Sequence, residues 1–278
     1  MIGVCTGSTE RQSIAHAVET NLAEWYRTTS DLVPSADFIE ESDVTQARLP
    51  ARHPLFTAVL QARFDEQNAD QRIDEIVESL RRLGMPAMWW ICSESRPPDL
   101  SHRVEERGFI PVDILSGMAL DLEKEPCRVP IGSGFTVEEV RSAEGLREWS
   151  VLYHEGFGMD AHTLRDLSPI ADAVTSGDAG QLRFFLGRRR GEPVSCAMLF
   201  LGDRTAGVYW VATAQDRRNR GYGSGVVLAA VAAAREAGYK LCVLHASPMG
   251  VSVYRKLGFV EYCHLRTLTW RPEAEGRA

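Results

Sequence analysis

Arg217-Arg218-Asn219-Arg220-Gly221-Tyr222-Gly223-Ser224-Gly225 follows the strand-like Gly207-Val208-Tyr209-Trp210-Val211-Ala212-Thr213 and leads into an apolar helix, Val226 to Ala234. A strand, a glycine-rich turn and a helix in that order make an anion cradle. Glycines let the main chain turn sharply and approach a ligand closely, so successive N–H groups point into one concavity. The helix start adds unsatisfied N–H donors and a partial positive charge. Arg217, Arg218 and Arg220 place cationic density beside it. The expected ligand is a di- or polyphosphate. A Walker-type loop does not fit, because no Lys followed by Ser or Thr closes the glycines. A dinucleotide fingerprint does not fit either. The glycines fall at 221, 223 and 225, and the next strand, Leu241-Cys242-Val243-Leu244-His245, has no carboxylate.

The stretch Arg218-Asn219-Arg220-Gly221-Tyr222-Gly223 fits R/Q-x-x-G-x-G/A and resembles the coenzyme A pyrophosphate loop of the GNAT superfamily of N-acetyltransferases. One helix and one strand later, Ser247-Pro248-Met249-Gly250-Val251-Ser252-Val253-Tyr254-Arg255-Lys256-Leu257-Gly258-Phe259 resembles the second signature of that family. Its Tyr lies four residues before the Gly-Phe pair. Ser247 stands where an Asn is usual. The resemblance covers roughly residues 135–270. It implies an acyl-CoA-dependent enzyme in which an amine attacks a thioester directly. It also implies acetyl-CoA held by Val211, Ala212, Thr213, Arg218, Asn219, Arg220, Gly221, Tyr222, Gly223, Ser224, Ser247 and Tyr254. Main-chain groups at Val211, Ala212 and Thr213 would align the pantetheine arm, and Tyr254 would protonate the leaving thiolate as general acid.

No general base is assigned. Histone-modifying relatives carry a Glu eleven residues before the first Arg/Gln of the loop, and that position is Gly207 here. His154 and Glu155, in the stretch running to His162, and His245 remain candidates.

A boundary falls at Lys124 to Gly134, where two prolines and two glycines break helix and strand patterns. It separates a segment 1–125 from a segment 133–278. The two halves repeat one order of elements. In the first, a helix over Gln71–Arg82 with Ile73, Ile76, Val77 and Leu80 on one face ends at Gly84. The strand Ala87–Cys92, a Ser/Pro loop, Val104 to Gly108-Phe109 and the strand Met118–Leu122 follow. The second half matches this with Gly238, Leu241–His245, Gly258-Phe259 and Leu265–Trp270. Further strands are expected at 137–140, 183–188, 193–200 and 207–213, and a helix opening at Ser142. The expected fold is α+β: two tandem GNAT-like domains, each a mixed, mostly antiparallel sheet flanked by helices.

The first half reads as a degenerate copy. Its counterpart of the cradle, Arg63 to Asp70, has no glycine and three carboxylates, which would repel a pyrophosphate. Val104 stands where Tyr254 stands in the second half and cannot donate a proton. The expected role of this half is to pack on the other and help shape the acceptor cleft.

Formal charge divides unevenly. Residues 1–132 carry 22 acidic and 13 basic side chains, and residues 133–278 carry 16 and 18, so a net −9 faces a net +2. Such a balance argues against nucleic acid as partner. No apolar run reaches membrane-spanning length, and no signal peptide is apparent, so a cytoplasmic enzyme is expected. The six cysteines form no C-x-x-C pair, so neither metal nor disulfide is expected. The reading favoured is acetyl transfer to a primary amine of a small molecule, with room left for a homodimer. The alternatives are a protein N-acetyltransferase and a non-catalytic CoA-binding regulatory module.

Overall fold

The computed structural model describes residues 5–125, 130–131, 133–159 and 168–272. The first half runs α1 (Cys5–Leu32), β1 (Asp37–Glu40), β2 (Thr45–Arg48), β3 (Thr57–Leu60), α2 (Ala69–Leu83), β4 (Ala87–Ile91), α3 (Leu100–Glu105) and β5 (Ile110–Asp121). The second runs β6 (Phe135–Val140), α4 (Ala143–Phe157), α5 (Ser168–Ser176), β7 (Leu182–Arg189), β8 (Glu192–Leu201) and β9 (Ala206–Thr213). It continues through α6 (Tyr222–Glu236), β10 (Leu241–Ala246), α7 (Val251–Lys256) and β11 (Val260–Trp270). Each expected element is present. Residues 160–167, including His162, and Cys127 lie outside the described residues.

The local chemistry accounts for the ends. Ser142 caps α4, its Oγ accepting from the Gly145 N–H at 3.1 Å. α2 buries Ile73, Ile76, Val77 and Leu80 and stops at Gly84, whose φ of 65° is left-handed.

The internal repeat extends to individual hydrogen bonds. After α3, the Gly108 N–H donates to the Glu105 carbonyl and the Phe109 N–H to the Val104 carbonyl. After α7, Gly258 and Phe259 donate to Arg255 and Tyr254 in the same way.

All eleven strands join one sheet, in the order β1-β2-β3-β4-β11-β5-β10-β9-β8-β7-β6. Among the described strands, β3/β4 and β9/β10 pair in parallel and the other neighbours antiparallel. This corrects the expectation of one sheet per half. The halves exchange their closing strands: β5 pairs with β10 from Asp121↔Leu241 to Ser116↔Ala246, and β11 pairs with β4 from Arg266↔Ile91 to Trp270↔Ala87. β5 and β11 also pair with each other, antiparallel. Alternating apolar residues specify that a strand exists and which face is buried. They do not specify its neighbour when two closing strands have equivalent patterns.

Helices cover both faces. α2 and α3, and α6 and α7, pack on one, around Trp89, Phe109, Leu244 and Phe259. α1 and α4 pack on the other, around Trp25, Tyr26, Trp90 and Trp149. The long α1 crosses the seam between the halves, touching β1 and β2 as well as β9, β10, β11 and β5. Its Asn21 is fully buried. The Asn21 Nδ2 donates to the Thr205 carbonyl at 2.8 Å, and the Tyr209 hydroxyl donates to Asn21 Oδ1 at 2.8 Å. No helix of the described residues is long and apolar enough to cross a membrane.

Also on α1, Glu19 is 3% exposed, and the Ser93 hydroxyl donates to its Oε1 at 3.2 Å. Burial first, and then the nearby Glu94, push its carboxyl from 4.5 up to about 7. The folded chain therefore holds this proton to higher pH than the unfolded chain. Stability from this group is intact below pH 4.5 and falls as pH rises through about 7, by about 3 kcal/mol in all. Glu19→Gln is expected to raise the urea midpoint at pH 8 and to change it little at pH 4.5. A gain of equal size at both pH values would show that the carboxylate charge is not what costs stability.

Candidate active site

The cradle forms at the start of α6. Gly221 holds φ at 80° and Asn219 holds it at 61°, so the chain turns twice through left-handed backbone before the helix begins. No side chain caps α6. Its first-turn N–H groups are left for a ligand. A Cβ on Gly221 would lie 3.0 Å from the Pro130 carbonyl oxygen, and one on Gly223 would lie 3.0 Å from Thr213 Oγ1, so the loop is packed to the size of glycine. Tyr222 stacks on Phe135 at 5.0 Å, and its carbonyl accepts from the Ser195 hydroxyl at 3.2 Å, which fixes the helix start on β6 and β8.

Arg217 is drawn to Glu192 and Asp216, at 3.3 and 3.0 Å. Arg218 donates to the Thr213 carbonyl at 3.3 Å. Among the described residues neither Arg218 nor Arg220 is paired with a carboxylate. Uncapped donors, unpaired cations and a loop with no space for a side chain are a fit for a pyrophosphate.

Next to the cradle the sheet opens. β9 pairs with β10 only at Ala206↔Cys242 and Gly207↔Val243. Beyond that the two parallel strands part. On its other edge β9 bulges against β8 between Tyr209 and Ala212, where Trp210 has φ of 52°. After the bulge Ala212 and Thr213 rejoin β8 opposite Cys196 and Ser195, and their other edge has no β10 partner.

A cavity of about 210 Å³ begins there. Val211, Ser247 and Tyr254 are among the residues that line it. Tyr254 comes from α7, and burial pushes its phenol up to about 12, so it stays protonated at neutral pH. The structure thus brings Tyr254, Ser247 and Val211 together, with the loop of residues 218–224 at the neighbouring helix start.

The equivalent gap in the first half is closed. β3 and β4 pair at Ala58↔Met88 and Val59↔Trp89, as their counterparts do. The chain then stitches across: the Arg96 N–H donates to the Ala62 carbonyl at 3.0 Å, and the Phe64 N–H donates to the Arg96 carbonyl at 3.2 Å. Val104 is fully buried in the local core. Loss of the glycines and the tyrosine is therefore accompanied by loss of the space for a pantetheine arm.

The candidates for a general base separate clearly. His154 and Glu155 do not line the cavity, whereas His245 does. Burial holds His245 down at about 4, and a ring N–H bonds the Val18 backbone, so it is a neutral, weakly basic imidazole. The position of the familial Glu is physically filled. A Cβ on Gly207 would lie 2.0 Å from Asn21 Oδ1 and 2.4 Å from the Tyr209 ring.

Sequence reasoning missed Asn21 and the cavity wall supplied by the first half: Leu22, Trp25 and Tyr26 of α1, Leu55, Trp90 of β4 and Leu115 of β5. The Trp89-Trp90 pair in a strand was the visible signal, since two bulky aromatics on opposite faces need two covered faces.

The site therefore sits where a mixed sheet splays beside an uncapped, glycine-started helix. Residues 144–259 match the model of the Acetyltransferase (GNAT) family. Solved structures agree on the fold over nearly the whole chain. A GCN5-related N-acetyltransferase from Kribbella flavida is 20% identical with a TM-score of 0.68, covering 91% of this chain and 96% of its own. A GCN5-related N-acetyltransferase from Sphaerobacter thermophilus is 16% identical with a TM-score of 0.62, covering 86% and 77%. A tandem GNAT protein from the clavulanic acid biosynthesis pathway is 13% identical with a TM-score of 0.57, covering 92% and 96%. No curated protein matches the sequence significantly.

Proposed function

We propose that the protein is an acyl-CoA-dependent N-acyltransferase that moves acetyl from acetyl-CoA to a primary amine of a small molecule. The observation that carries this reading is the adjacency of the uncapped α6 cradle, the parted β9 and β10, and a cavity with Val211 and Tyr254 on its wall. The thioester supplies the activated acyl carbon. The first-turn N–H groups of α6, with Arg218 and Arg220, would hold the pyrophosphate. Main-chain groups at Val211 to Thr213, on the β9 edge that β10 leaves unpaired, would pair with the pantetheine amides and orient the carbonyl. Tyr254 would deliver its phenolic proton to sulfur as the C–S bond breaks. The cavity's small volume favours a small acceptor over a protein chain.

Tyr254→Phe keeps the ring packing against Phe259, whose centroid is 6.0 Å away, and removes the proton. Transfer to an amine, followed by release of free CoA thiol, is expected to slow by about 10²-fold with CoA affinity little changed. An unchanged rate would mean that sulfur takes its proton from water.

A further inference from the structure

The cavity beside Tyr254 has a composition that selects its occupant. Seven aromatic side chains line it, five of them Trp25, Tyr26, Trp90, Tyr209 and Trp210 and the others Phe157 and Tyr254, together with Leu22, Leu55 and Leu115. Among the described residues no Asp, Glu, Lys or Arg lines it. Its ionisable groups are three phenols and one imidazole. Burial raises Tyr26, Tyr209 and Tyr254 and lowers His245, so all four are uncharged near neutrality. Two of its phenol hydroxyls are already engaged. The Tyr26 hydroxyl donates to the Leu55 carbonyl at 2.7 Å, and the Tyr209 hydroxyl donates to Asn21 Oδ1. A second ammonium entering this space would lose its water and meet no charged partner among the described residues, and a set of sugar hydroxyls would find few partners beyond the Ser247 hydroxyl and the buried, unpaired Trp25 Nε1, Trp90 Nε1 and His245 Nε2. Aromatic faces return only part of that loss for a cation. An apolar body loses nothing and buries its surface. The volume of about 210 Å³ corresponds to roughly seven waters. One ring with a short arm fits.

Resting on the acyltransferase reading, we infer that the acceptor is an amine carried on an aromatic or compact apolar body, which seats between α1 and β9 with its nitrogen toward Val211 and Tyr254. Polyamines and aminosugars are excluded as preferred acceptors. The first half thereby sets acceptor specificity, through Trp25, Tyr26 and Trp90, while the second half holds the acyl donor.

The test uses the full chain saturated with CoA and follows tryptophan fluorescence on titration with 2-phenylethylamine and with 1,4-diaminobutane. The aromatic amine is expected to bind at least about tenfold more tightly. Trp25→Ala should weaken it by a similar factor and leave CoA affinity within about twofold. Should Trp25→Ala fail to fold, Leu55→Glu serves instead. A carboxylate in the wall should weaken 2-phenylethylamine and strengthen 1,4-diaminobutane, reversing the order. Equal or tighter binding of 1,4-diaminobutane to the unaltered protein overturns the inference, as does 2-phenylethylamine binding that neither variant changes. Release of CoA thiol from acetyl-CoA is measured separately with both amines. Tight 2-phenylethylamine binding without release would sink the transferase reading and leave the cavity assignment standing. Release favouring 1,4-diaminobutane would do the reverse.

Discussion

Gly221→Val is expected to abolish measurable CoA binding while the protein remains folded. Two effects coincide at this residue. Its φ of 80° is a region that β-branched side chains avoid, at a cost of about 1–3 kcal/mol. Its Cβ would also meet the Pro130 carbonyl oxygen at 3.0 Å, and that is backbone, which cannot swing aside as a side chain tip can. The loop can relieve both only by turning differently. The first-turn N–H groups of α6 would then no longer converge on one point. Gly238, near the other end of α6, provides the control: its φ is 88°, and a Cβ there meets nothing within 4 Å. Gly238→Ala carries comparable backbone strain and should keep CoA affinity. Binding retained in Gly221→Val would end the cradle assignment.

A fragment beginning near residue 133 is expected neither to unfold cooperatively nor to transfer acetyl. Without the first half, β10 loses its antiparallel partner β5, and β11 loses both β4 and β5. Two long strands would present unpaired edges, which favours aggregation. The cavity would lose the wall made by α1, exposing Tyr209, Trp210 and His245. Mixing or co-producing the two halves should restore one soluble species, because the exchanged strands can pair between chains as they do within one. A fragment 133–278 that is monomeric, stable and fully active would contradict the exchanged-strand sheet.

What could be read in advance follows from how locally it is encoded. The cradle, the Tyr254 signature and the degeneracy of the first half are each written within about a dozen consecutive residues. Arg218 to Ser224 turn as the glycine spacing implied, and Val104 sits in the core where a proton donor would need to reach a cleft. The sheet order was not legible, because it depends on which of two similar closing strands, β5 or β11, lies beside β10. Nor was the acceptor wall, since Trp25 and Trp90 reach the site only through a helix packed across strands from far away in sequence. Gly207 was correctly singled out as lacking the familial Glu. The reason, that Asn21 fills its place, needed the tertiary contact.

The central claim is that one half holds the acyl donor and the other cannot. Calorimetric titration of the full chain with CoA tests it most directly. One site per chain is expected, lost in Gly221→Val, because β9 and β10 part beside an uncapped helix whereas Arg96 stitches the equivalent gap shut. Two equivalent sites per chain, or one site that persists in Gly221→Val, would contradict it.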